Sequence, residues 1–254
     1  MADSARHRAH PPSSGSGTGG FLPSAAPRPI DATVAAAAFL GAWVVAQLVS
    51  SLIIAALHGS ETTADAPFGV LAAGLVGAWM SYLIVMYVTS QRAGSGSFVA
   101  DYGLQIAWID LAGLAVGALA QLVLLRVVYL PLEALWPDTF TQDRLAENAQ
   151  DLIDRAGGPS TWLLVVVVVF GAPIVEELFY RGLLQRPLAA RFGEGPVVVA
   201  VAAIFALAHF RPVEIPGLFA FGLLLGAAAL WSGRLGTSIM IHIGFNATAL
   251  LLVS

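Results

Sequence analysis

The sequence predicts an all-α polytopic membrane protein, a bundle of about seven transmembrane helices around a polar cavity within the bilayer. Three observations carry that expectation. The 254 residues are 57% apolar and only 11% charged, against roughly a quarter charged in an average soluble domain. Their mean hydropathy is +0.79. The apolar residues also fall into long runs, and a bilayer core about 30 Å thick needs roughly 20 of them per helix.

The first 29 residues, "MADSARHRAHPPSSGSGTGGFLPSAAPRP", are rich in Ser, Gly, Pro and Ala. They offer little apolar surface to bury, so a disordered tail is expected there. The helical domain is expected over 30–254. Its spans are read at about 33–57, 67–90, 108–130, 161–185, 196–211, 215–232 and 236–253. The third carries Gly113 and Gly117 at a spacing that lets helices approach closely. The fifth and sixth are short and separated by "RPVEIPG", whose Pro212 and Pro216 break helices. Between the third and fourth, the 131–160 segment predicts one amphipathic interfacial helix, since Leu145, Ala149 and Leu152 recur at near-helical spacing.

All twelve basic residues are arginine. Arg6, Arg8 and Arg28 precede the first span, Arg92 follows the second, Arg186 and Arg191 follow the fourth, and Arg234 follows the sixth, which places all of them on one side. By the positive-inside bias that side is cytoplasmic, so the N-terminus is expected inside and the C-terminus outside. Arginine without lysine, with abundant Ala, Gly and Val, reads as the composition of a GC-rich bacterium, hence a bacterial cytoplasmic membrane. The net charge of −4 gives no sign of a nucleic-acid partner, and the absence of cysteine excludes disulfides, thiol nucleophiles and thiolate metal sites.

Against this apolar background the fourth run ends in "GAPIVEELFYRGLLQ". An ionisable residue within a span costs about 2.5 to 3.5 kcal/mol to insert, so it needs a partner or a purpose. Glu177 and Arg181 stand at i and i+4 and can neutralise each other. Glu176 points about 100° away on the helix and has no local cation, and a desolvated carboxylate of that kind suits a general base. Only His209 and His242 of the five histidines lie in the apolar body. Phe205 stands four residues before His209 and can wall its ring from lipid, and Asn246 stands four after His242 on the same face.

Two chemistries fit this set. In one, Glu176 deprotonates a water that attacks a peptide carbonyl while histidine and Asn246 donate to the oxyanion. In the other, Glu176, His209 and His242 hold a divalent metal such as zinc that activates the water. No cofactor is favoured, because a lone activated carboxylate and Asn246 fit the metal-free route better. HExxH, GxGD and GxSG, which mark other intramembrane proteases, are absent. A non-catalytic scaffold or immunity-type protein and a proton-coupled transporter are the rival readings.

Glu176-Glu177-x-x-x-Arg181, Phe205-x-x-x-His209 and His242-x-x-x-Asn246, in that order, resemble the CPBP family. These are the CAAX-protease and bacteriocin-processing membrane proteins, also called the ABI or type II CAAX prenyl endopeptidase-like group. The resemblance covers about residues 160–254, the expected protease core. It implies an endopeptidase in which Glu176 and His209 activate water, His242 and Asn246 hold the oxyanion, and Glu177 and Arg181 orient the site. The implied substrate is a membrane-embedded or lipid-anchored peptide or protein. Counting about 1.5 Å per residue puts His209 deeper than Glu176 and His242.

Overall fold

The computed structural model describes residues 29–59 and 66–253, so the expected tail lies outside the described residues apart from Pro29. Among the described residues, six helices are long and apolar enough to cross a membrane. In chain order the elements are α1 (Ala32–His58), α2 (Phe68–Ala93), a short α3 (Phe98–Tyr102), α4 (Trp108–Leu135), α5 (Gln142–Ala156), α6 (Thr161–Phe192), α7 (Glu194–Leu207), α8 (Ile215–Ser232) and α9 (Leu235–Val253). The expected seven spans are thus six long helices and the shorter apolar α7. The protein is an integral, multi-pass membrane protein.

Local chemistry sets the ends. The Asp31 carboxylate accepts from the Thr33 and Val34 amides at 2.8 and 3.4 Å, closing the N-terminus of α1. Gly59, at φ 77°, ends the helix in a conformation that a side chain would strain. Small Ala35, Ala42 and Ala46 are buried against the bundle while Leu40, Leu48 and Leu52 stand more than half exposed. Such an outward apolar face is stable only against lipid.

Hydrogen bonds and an ion pair define the two ends of the bundle. Arg191 lies 3.9 Å from Asp31, and the amides of Leu235 and Gly236 donate to the carbonyls of Gly103 and Gln105, so these residues share one end. At the other end Arg155 Nη1 donates to the Ala66 carbonyl and the Tyr129 hydroxyl to the Val213 carbonyl. The helix expected from Leu145, Ala149 and Leu152 is α5. Its apolar residues line an internal cavity rather than only a membrane interface.

α6 runs to Phe192, seven residues beyond the expected boundary. Glu176 and His209 therefore lie nearly equal numbers of residues from the turn at Gly193, which removes the depth mismatch expected from straight counting. Pro216 sits in the first turn of α8, where a missing amide costs nothing, so it starts that helix. α6 is also not uniformly α-helical. Residues Val165–Gly171 and Glu177–Gln185 form wider π turns.

α4 crosses α9 at backbone distance. A Cβ on Gly117 would strike the Ile241 carbonyl, and one on Gly244 the Leu114 carbonyl, while one on Gly113 would lie 3.0 Å from the Ile241 amide. The contact is next to His242, and no flexible side chain can yield there. Gly117→Ala is expected to lose about 1 to 3 kcal/mol of stability by overpacking. Gly41→Ala on α1, whose Cβ meets nothing within 4 Å, is the control that loses none. Thermal unfolding of the purified protein in detergent measures both.

Candidate active site

Glu177 and Arg181 are both inaccessible, and Arg181 Nη1 lies 3.0 Å from Glu177 Oε1. The pair keeps its expected contact although the backbone there has widened into a π turn. The second guanidinium nitrogen, Nη2, donates to the Gly222 carbonyl of α8 at 3.2 Å. The guanidinium carbon also sits 4.6 Å from the Phe205 ring centroid, a cation–π contact strengthened by the absence of water.

His242 joins the same carboxylate. Its Nδ1 lies 3.0 Å from Glu177 Oε1, and since the carboxylate oxygen accepts, Nδ1 carries the proton. The opposite ring nitrogen, Nε2, faces Glu176 with 3.9 Å to Oε2. Glu176 therefore has a neighbour that local spacing does not reveal. It keeps partial exposure, 23% of its side chain, whereas Glu177 has none.

His209 follows the end of α7. Its Nδ1 lies 2.8 Å from the Phe205 carbonyl, which can only accept, so Nε2 is left as the acceptor nitrogen in the neutral ring. The Phe205 ring stands edge-on to His209 at 4.8 Å and to His242 at 5.9 Å. It walls both imidazoles, where the sequence suggested one. The residue after His209, Phe210, is held at φ 54°, a costly conformation for a bulky side chain and a kind of strain that concentrates at functional sites.

Asn246 donates its Nδ2 to the Val168 carbonyl at 2.9 Å. That carbonyl belongs to the first π turn of α6, so the carboxamide ties α9 to α6. One of its two N–H groups is thereby committed and the other is left for a ligand.

Glu176, His209, His242 and Asn246 all line one cavity of about 680 Å³, while Glu177 and Arg181 lie behind its wall. Most of the remaining lining is apolar, with Phe221 and Phe245 stacked at 3.8 Å and Phe221 edge-on to His242 at 5.3 Å. Five polar lining residues escaped the sequence reading: Gln121, Tyr129, Asp143, Asn148 and Glu214. Burial pushes the Glu214 carboxyl up, opposed by Arg211 and His209. Its only sequence signal was an acid in a Pro-bounded turn. The Gln121 carboxamide oxygen is buried without a hydrogen-bond partner.

Among the described residues, no three or more His, Asp or Glu side chains gather closely enough to hold a metal ion. Glu176, His209 and His242, named for the metal-dependent route, are not gathered as such a group. Both Nδ1 atoms are turned to protein acceptors, which leaves each Nε2 uncommitted to them.

Fold and site together define a polytopic helical membrane protein with a buried carboxylate, guanidinium and imidazole network opening on an apolar intramembrane cavity. Residues 158–248 match the family model described as type II CAAX prenyl endopeptidase, Rce1-like. That span includes every residue of the three motifs, from Glu176 to Asn246, and agrees with the resemblance to CAAX proteases. No curated protein and no solved structure gives a significant match.

Removing one member of a buried ion pair leaves the other uncompensated, at a cost of about 3 to 5 kcal/mol. Arg181→Met is accordingly expected to destabilise the protein by that much. The double variant Glu177→Gln/Arg181→Met, which strands no charge, should recover a large part of the loss in denaturant titrations of the detergent-solubilised chain.

Proposed function

We infer that the protein is an intramembrane endopeptidase that hydrolyses a peptide bond in a membrane-embedded or lipid-anchored substrate. The observation that carries this reading is the convergence of Glu176, His209, His242 and Asn246, from two helices and a turn, on one apolar-walled cavity. The match of residues 158–248 to a family of CAAX endopeptidases supports it.

In this reading Glu176 takes a proton from a water whose oxygen bonds to the scissile carbonyl carbon, with His209 Nε2 accepting a second hydrogen bond from that water. His242 donates from Nε2 to the resulting oxyanion. It can do so when doubly protonated, and Glu177, bonded to Nδ1, stabilises that imidazolium. Before attack Glu176, Glu177, Arg181 and the imidazolium sum to zero charge, and the proton that Glu176 takes passes its negative charge to the oxyanion, which keeps the balance a low-dielectric site requires. The free N–H of Asn246 is the second oxyanion donor. As the C–N bond breaks, Glu176 returns its proton to the leaving nitrogen. Glu177 and Arg181 orient these groups without touching the substrate.

Purified protein and a fluorogenic membrane-peptide library test this. Glu176→Gln is expected to lower cleavage by about 10² to 10⁴, the usual worth of a general base, and activity is expected to survive exhaustive chelation. Loss on chelation would replace the glutamate route with a metal-dependent one. Equal cleavage by wild type and variant would remove Glu176 from the mechanism, and no cleavage by either would favour the non-catalytic scaffold.

The cavity is lined by Leu252, Val253 and α5 residues, at the end of the bundle opposite Arg186, Arg191 and Arg234. With the end that carries Arg92, Arg186, Arg191 and Arg234 cytoplasmic, as expected from the arginines that flank the spans, the cavity belongs to the outer half of a bacterial cytoplasmic membrane. A C-terminal alkaline phosphatase fusion should then be active and a C-terminal green fluorescent protein fusion dark. The reverse pattern would invert the orientation.

A further inference from the structure

At the end that carries Arg186, Arg191 and Arg234 a second, smaller cavity of about 120 Å³ opens between α3, α6, α8 and α9, lined by Tyr102, Arg181, Gln185, Arg186, Gly233 and Arg234 among others. A water takes up about 30 Å³ in the liquid, so a tetrahedral oxyanion fits. Three arginines around so small a space call for an explanation, and their charges are not balanced alike. Arg181 is neutralised by Glu177 at 3.0 Å, and Arg234 by Asp110 at 2.7 Å. Arg186 has no carboxylate partner among the described residues, so the cavity carries a net positive charge.

The placement of Arg186 is specific. Its Nη1 lies against Gly103, in the space where a Cβ would stand, and Gly103 is itself left-handed at φ 68°. The side chain is thereby folded back over the mouth of the cavity, where it stays exposed to solvent.

Deeper in, Arg181 is 1% exposed and its Nε has no hydrogen-bond partner. A buried N–H donor left unpaired costs about 1 to 3 kcal/mol, more when charged, and such groups usually mark a missing ligand or water. Gln185 keeps its carboxamide in place by donating to the Gly226 carbonyl at 2.9 Å. The last turn of α8 would repel an anion if its carbonyls were bare. Three of them are not: the Ser232 hydroxyl donates to the Ala228 carbonyl, the Gly233 amide to Leu230, and Arg234 Nη1 to Ser232.

We propose that this cavity is a binding site for a phosphate-type oxyanion, held by Arg186 at the mouth and Arg234 at the side, with the unpaired Nε of Arg181 at its floor. Basic pockets between transmembrane helices at headgroup level are suited to anionic lipid phosphates, and a free phosphate offers the same chemistry. The site stands apart from the proposed hydrolysis, because it lies on the far side of Arg181 from the larger cavity.

The test uses the full chain, delipidated in neutral detergent, and needs no proteolytic activity. Retention of phosphatidylglycerol and phosphatidylcholine is read by native mass spectrometry, with and without excess inorganic phosphate. Arg186→Gln is the variant, and Arg92→Gln is the control, since Arg92 is exposed on the same side outside the cavity. Preferential retention of phosphatidylglycerol that falls by at least about fivefold in Arg186→Gln, is unchanged in Arg92→Gln, and resists phosphate establishes a lipid headgroup site. Displacement of the lipid by phosphate, with phosphate alone raising the melting temperature of wild type but not of Arg186→Gln, establishes a site for the free anion. Equal retention of the two lipids without a phosphate effect overturns the proposal. So does a preference that survives in Arg186→Gln or is lost equally in Arg92→Gln.

Discussion

The buried contact of Glu177 with Arg181 and His242 is the constraint on which the rest of the site depends. Two charges removed from water are stable only when they are paired with each other and supported by further hydrogen bonds, and this leaves few ways to pack four helices. α6 supplies the ion pair, α8 offers the Gly222 carbonyl, α9 brings His242 onto the same carboxylate oxygen, and α7 lays Phe205 over the guanidinium. Displacing any of these strands a charge in a medium without solvent. Glu176, one position earlier, is turned out of the network and into the cavity, so adjacent glutamates occupy opposite environments.

The π turns of α6 work with that constraint. A π turn widens the helix and shifts its carbonyls out of register, and such turns recur at functional sites because they re-aim side chains. In the first of them the Val168 carbonyl accepts from Asn246, so the irregular backbone becomes an attachment point for α9. The close crossing of α4 on α9 through Gly113, Gly117 and Gly244 holds α9 from its other side. His242 is thus gripped between a backbone contact and an ion pair.

The two ends of the bundle carry different chemistry on either side of Arg181. One end holds the larger cavity, with Glu176 and the histidines beside apolar walls and α5 over part of it. The other holds a small basic cavity under Arg186. Asp110 and Arg234 brace the latter end, and Thr237 donates to the same carboxylate at 2.6 Å, anchoring the first turn of α9 eight residues or fewer from His242.

By itself the sequence determined the helical, membrane-spanning class, since runs of apolar residues near 20 long leave no other structure with a satisfied backbone. It also determined the local pairs, because i and i+4 neighbours meet on any helix: Glu177 with Arg181 and Phe205 with His209 were legible from spacing alone. Long-range geometry was not. The contact of His242 with Glu177 and Glu176, the Asn246 tie to Val168, and the entry of Glu214, Tyr129 and Gln121 into the cavity join residues far apart in the chain. Periodicity carries no information about which helices become neighbours. The length of α6 was misjudged because its Arg186 and Arg191 read as a loop, whereas long arginine side chains at helix ends reach the interface while the backbone stays helical. Tertiary packing alone decided these points, through the need to pair each buried polar group once the helices had met.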